Sequence, residues 1–388
     1  MNFFVAALLA AGTLGASPVS SAADTDFATG NFLAALAAYS TRVAAAPNDV
    51  DALLGLGTIE LYENDLAAAK MHLSRVVQLD PQNAIARGRL RTLEEREPNA
   101  TDFRMGSSSP RVAIPFIATD PLPIVSAKID GHAAVLLIDT GAPAIALTAQ
   151  AAQRFGITLQ AGGEGVFAGG KRAAVQRGRI DSVELGGVTV RGIPADALPG
   201  SLEIAGRAID GAIGTSFLMH FLSTIDYARG QLILRPLSAS SDFQRDAAGA
   251  GASIEPMWLV GDHFLFAMAS VNDAASALFN IDTGGAGLGV QLTKASLESA
   301  GIAVDTSKAQ DFTGGGGGAR AIPFVAAKVA LGETVERRVP GLYFPDGDQF
   351  RIFPFAVAGT ISHEFFRRTA VTFDFTAMRI VVDASGRI

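Results

Sequence analysis

The rhythm of apolar and polar positions changes along this chain. Between residues 31 and 95 it repeats every 34 positions, pairing Phe32 with Leu66, Ala35 with Ala69, Val43 with Val77, Ala52 with Ala86 and Leu56 with Leu90. Pro47-Asn48 and Pro81-Gln82 punctuate the two units at the same spacing. This predicts helices near 31–45, 50–63, 65–79 and 83–95. Beyond residue 111 short apolar runs take over. Val135-Leu136-Leu137-Ile138 is continuous, and Leu278, Phe279 and Ile281 are interrupted only by Asn280. Both read as strands buried in a sheet.

Each of these strands closes on the same tripeptide, Asp139-Thr140-Gly141 in the first and Asp282-Thr283-Gly284 in the second. One copy alone would be an ordinary strand-to-turn junction. The surroundings repeat as well, however. Leu147-Thr148 recurs as Leu292-Thr293, Gly156-Ile157 as Gly301-Ile302, Phe167 as Phe312, and Gly169-Gly170 as Gly314-Gly315. The stretch from Gly211 lies over the stretch from Gly359 without a gap, repeating Phe217 as Phe365, Thr224 as Thr372 and Asp226 as Asp374. Self-similarity over such a length indicates a duplicated domain-sized unit, and so two homologous lobes.

Two carboxylates delivered to one place by buried strands have a defined chemistry. A buried carboxylate is costly to ionise, and two close together resist ionising at once, so the pair tends to hold one proton. One member can then act as base and the other as acid. Glycine after the Asp-Thr step permits a tight turn, and the threonine hydroxyl can orient its neighbours.

A duplicated Asp-Thr-Gly, followed well downstream by the hydrophobic-hydrophobic-Gly element Ala212-Ile213-Gly214, resembles the aspartic proteases. The likeness is to bacterial retropepsin-like proteins with both halves fused, and it covers about residues 111 to 388. It implies a mainly β, two-lobed pepsin-like or retropepsin-like acid protease fold. It also implies Asp139 and Asp282 flanking one water, with Thr140, Gly141, Thr283 and Gly284 supporting them. Flap tips are implied at Phe167 to Arg172 and Phe312 to Gly318, around Gly169, Gly170, Gly314 and Gly315. In the second lobe the downstream element reads Thr360-Ile361-Ser362, with serine in place of glycine. The 34-residue period resembles tetratricopeptide (TPR) repeats. About two units are present where such stacks usually need three, so this module is expected to lean on the lobes, on a second copy or on a client protein.

These patterns divide the chain into a signal peptide (1–23), a TPR-like helical module (24–97), a linker (98–110), a first lobe (111–236), a flexible interlobe linker (237–251) and a second lobe (252–388). The signal reading rests on the apolar run Phe3 to Ala11 and on Ser21-Ala22-Ala23 before Asp24, although no Lys or Arg precedes the run. It makes the protein periplasmic or secreted, with no stable membrane span after cleavage. The absence of cysteine excludes disulfides, a thiol nucleophile and a lipidated cysteine. A net charge of −7 without a basic stripe argues against nucleic acid.

Other chemistries find less support. His363-Glu364 resembles the start of a zinc-protease HExxH motif, but position 367 is Arg rather than the second His. His72, His132, His220 and His263 are scattered and read as packing or surface residues. No GxSxG elbow is present. Gly169-Gly170-Lys171 lacks the rest of a phosphate loop, and Asp226 and Asp374 read as turn residues. The expectation is therefore an exported aspartic endopeptidase acting on peptides or proteins, with no metal and no cofactor. The alternative is a catalytically silent scaffold that uses the same cleft and the helical module to bind a peptide or partner.

Overall fold

A computed structural model describes residues 21–96, 110–314 and 317–386. The expected signal segment up to residue 20, nearly all of the expected linker, and Gly315 lie outside the described residues. Helices α1 (Ala22–Ala28), α2 (Phe32–Ala45), α3 (Val50–Tyr62), α4 (Leu66–Leu79) and α5 (Ala84–Arg96) come first. The last four fall where the repeat predicts. Asp49 and Asp65 cap α3 and α4 by accepting from the Ala52 and Ala68 amides. The unexpected α1 begins at the expected cleavage site. Ser21 and Asp24 form a capping box there, and Ala23 is buried.

The remainder is mainly β. The first lobe is a seven-stranded sheet ordered Ile124–Ile129, His132–Ile138, Gly211–Ile213, Ile145–Thr148, Val188–Leu198, Lys171–Leu185, Gln160–Phe167. The second lobe repeats this core in an eight-stranded sheet, where Ala277–Ile281, Gly359–Ile361 and Val290–Leu292 lie side by side. A six-stranded sheet takes strands from both lobes and joins them. At its centre Leu222–Asp226 pairs antiparallel with Ala370–Asp374, placing Thr224 opposite Thr372 with their hydroxyls 2.7 Å apart. Asp226 and Asp374 are buried and accept from the amides of Arg229 and of Thr376 and Ala377, the turn role expected of them.

One expectation changes. The segment 237–251 is not a flexible crossing: it holds a helical turn at Leu237–Ala239 and the helix Ser240–Ala250, closed by Gly251 in the left-handed region. Phe243 and Ala247, one helical turn apart, pack on Leu222 and Val381 beneath the shared sheet, while Ser240 and Gln244 donate to Asp374 Oδ2. The apolar stripe outweighs the Ser, Ala and Gly composition.

The helical module, of the three expected supports, uses the second lobe. Phe32 meets Trp258 and Phe355 edge-on with centroids 5.4 and 5.0 Å apart, and Phe27 and Tyr62 join the same cluster. The cluster continues through Phe266 and Phe353 to Phe264. Arg96, at the end of α5, donates to the carbonyls of Leu61, Leu259 and Gly261. The Ala356 amide donates to the Ala28 carbonyl. A short repeat array thus completes its core on a neighbour.

Candidate active site

The two Asp-Thr-Gly turns meet at the junction of the lobes. In each lobe the strand carrying the aspartate runs parallel to a three-residue strand, and the aspartate amide is fixed to that neighbour: Asp139 N donates to Ile213 O and Asp282 N to Ile361 O, both at 3.0 Å. Gly211 and Gly359 open these neighbouring strands. A Cβ on either would collide with a carbonyl, that of Ala146 or of Gln291.

The threonines interlock across the junction. Thr140 Oγ1 accepts from the Thr283 amide and donates to Ile281 O, each at 3.0 Å. Thr283 Oγ1 accepts from the Thr140 amide at 3.0 Å and donates to Ile138 O at 3.4 Å. Four hydrogen bonds between buried residues make the relative placement of the two turns rigid. Gly141 N donates to Asp139 Oδ1 at 2.8 Å and Gly284 N to Asp282 Oδ1 at 3.0 Å. Each glycine also lies against the opposite lobe's carboxylate, where any side chain would strike it.

Both aspartates are fully buried. Neither Oδ2 receives a hydrogen bond from the described residues. Burial raises the pKa of both carboxyls, and the facing Asp282 charge pushes Asp139 well above the usual carboxylate range. Asp282 is raised less firmly: burial is partly offset by the Gly284 amide and by Asp139. Both carboxyls are raised and face each other, so the pair holds one proton between them.

Ser362 is fully buried and fits its place in the second lobe. Its hydroxyl donates to the Asp282 carbonyl and accepts from Gly285 N. In the first lobe Thr215 does related work, donating to the Thr140 carbonyl at 2.7 Å.

Of the candidate flap residues, Gly169 and Gly170 form the turn between Gln160–Phe167 and Lys171–Leu185, each with φ of 71°. The tip is closed down. Phe167, Ala168 and Gly169 are buried, and Gly169 N donates to Gln349 Oε1 at 3.2 Å. Gln349 is held by a reciprocal amide pair with Gln291. The corresponding hairpin of the second lobe pairs Gly314 with Gly317, and its Gly317 and Gly318 are exposed. A cavity of about 250 Å³, lined by residues including Gln291, Tyr343, Phe344 and Arg351, lies beside this latch rather than at the aspartates.

No local pattern points to Gln349, which acts on a glycine 180 positions away. Nor does one single out the buried His263, which pairs with Asp262 in the turn before Phe264.

Fold and paired turns together define an aspartic protease architecture preceded by a helical module. Residues 125–217 match the family model described as aspartyl protease, which supports a protease-type function. Among solved structures the chain is similar to a retropepsin-like aspartic protease from Rickettsia conorii, at 21% identity and a TM-score of 0.24, covering 35% of this chain and 94% of that one. It is also similar to Basic 7S globulin from soybean, at 11% identity and a TM-score of 0.40, covering 71% of this chain and 96% of that one. No curated protein matches the sequence.

Proposed function

We propose that the protein is an exported aspartic endopeptidase in which Asp139 and Asp282 activate one water between them. The observation that carries this reading is the fully buried carboxylate pair, braced by the Thr140 and Thr283 exchange, with both carboxyls raised in pKa so that one proton is shared. The ionised aspartate takes a proton from water as the water attacks the peptide carbonyl. The other aspartate donates its proton to the carbonyl oxygen, and the tetrahedral species collapses without a covalent enzyme intermediate. Because the dyad has no exposed surface and the flap tip is held by Gln349, a peptide enters only after the 167–170 turn lifts, a gating step of the kind lids provide.

The helical module holds the second lobe and offers its outward residues, Leu33, Met71 and Ile85 among them, to a protein partner or a second copy. The test is digestion of a peptide library by the full chain, by Asp139→Asn and by Asp282→Asn. Cleavage lost in both variants supports a single shared dyad. Cleavage retained in either sinks it, and a folded wild type that cleaves nothing favours the silent-scaffold alternative.

A further inference from the structure

The His363-Glu364 pair lacks the second histidine of a zinc-protease motif, because Arg367 stands in that place. The fold supplies a different third donor. Asp120, in the first-lobe loop ahead of Ile124–Ile129, reaches the second lobe's short helix His363–Phe366, with its Oδ1 3.6 Å from His363 Nε2. One ligand atom from each of Asp120, His363 and Glu364 lies within 4.8 Å of the others. No other such trio is found among the described residues.

The state of His363 is an independent observation. Its side chain is fully buried, and neither ring nitrogen makes a hydrogen bond within the described residues. A buried imidazole left so carries a desolvation cost that a bound cation would remove. Tyr227 packs edge-on at 5.1 Å.

We propose that Asp120, His363 and Glu364 form an interlobe site for a divalent transition cation of the zinc type. One imidazole nitrogen and two carboxylate oxygens suit Zn²⁺, whereas Ca²⁺ and Mg²⁺ prefer all-oxygen shells. The site's present counter-charge is Arg367, whose guanidinium lies 2.8 Å from Asp120 Oδ2 and 3.3 Å from Glu364 Oε2. That side chain is half exposed. A bound cation would tie the first lobe to the residue next to Ser362, and so to the turn carrying Asp282. Its role there is structural.

The experiment titrates ZnCl₂ into the untagged, chelator-stripped full chain by calorimetry and follows thermal unfolding in parallel. One ion per chain and a raised Tm are expected. Asp120→Asn removes a half-exposed donor without disturbing the core, and it should weaken binding by about tenfold or more. Arg367→Gln removes the internal competitor and should tighten binding. Absence of binding in the wild type, or equal binding in Asp120→Asn, overturns the proposal. Neither readout depends on peptide cleavage.

Discussion

Gly285 N donates to the Ser362 hydroxyl at 3.1 Å, so the serine that stands where the first lobe has Gly214 is bonded to its own compensating glycine. In the first lobe the same two positions hold Ala142 and Gly214, and a Cβ on Gly214 would collide with the Ala142 and Pro143 carbonyls. The second lobe exchanges the bulk between the positions. A Cβ on Gly285 would come within 2.5 Å of Ser362 Oγ.

A double-mutant cycle tests this exchange. Ser362→Gly leaves the Gly285 amide and the Asp282 carbonyl short of a partner, costing about 1–3 kcal/mol. Gly285→Ala overpacks the same spot and costs a similar amount, about 1–3 kcal/mol. The double variant recreates the first lobe's pattern and should be more stable than the sum of the singles predicts, by about 0.5 kcal/mol or more. Strict additivity in denaturant unfolding would show that the two positions are independent.

The second prediction concerns proton affinity in the dyad. The native pKa of Asp139 lies well above the usual 3.8, so the native state keeps a proton that the unfolded chain releases. Stability from this group is complete below the unfolded value and is lost as pH rises toward the native one. Asp139→Asn should therefore abolish cleavage yet unfold at a higher temperature than wild type at pH 7, with the gain shrinking near pH 4. Cleavage by wild type should follow a bell-shaped pH profile with an acidic optimum. A rate that climbs steadily into alkaline pH would point to a different base.

How much of this was legible depends on range along the chain. The Asp-Thr-Gly turns, the duplication and four module helices are written in local patterns, and Thr224 and Thr372, matched in sequence, meet across the shared sheet. Docking of the module is not local, because Phe27, Trp258 and Phe355 carry no mutual spacing that announces a common cluster. The helix Ser240–Ala250 had a readable signal in Phe243 and Ala247, hidden by small-residue composition. Gln349 had none, since its partners Gly169 and Gln291 are brought to it only by tertiary folding.

Asp196 offers a pH test away from the dyad. Burial raises its pKa to about 6, a rise that Arg177 only partly opposes from 3.5 Å. Its contribution to stability is present below the usual 3.8 and is lost between there and about 6. Asp196→Asn should match wild type near the acid end of that window and exceed it at pH 7, by on the order of 2 kcal/mol. The comparison is made by urea unfolding at several pH values. A constant offset between the two proteins across the series would rule out this titration as the cause.

The last prediction is that the helical module cannot be removed without damage to the second lobe. Truncation to start at Pro110 uncovers Trp258 and Phe355, both largely buried in the full chain. It also strips the Leu259 and Gly261 carbonyls of Arg96 and the Ala356 amide of the Ala28 carbonyl. The damage reaches toward the site, because Gly30 lies against Leu278 in the strand that leads to Asp282. In the full chain, Phe32→Ala should cost about 3–5 kcal/mol from the lost aromatic contacts and lower short-peptide turnover in the same preparations. The truncated chain should unfold at a lower temperature or fail to stay soluble. A truncation as stable and as active on short peptides as the full protein would show the module to be a detachable appendage.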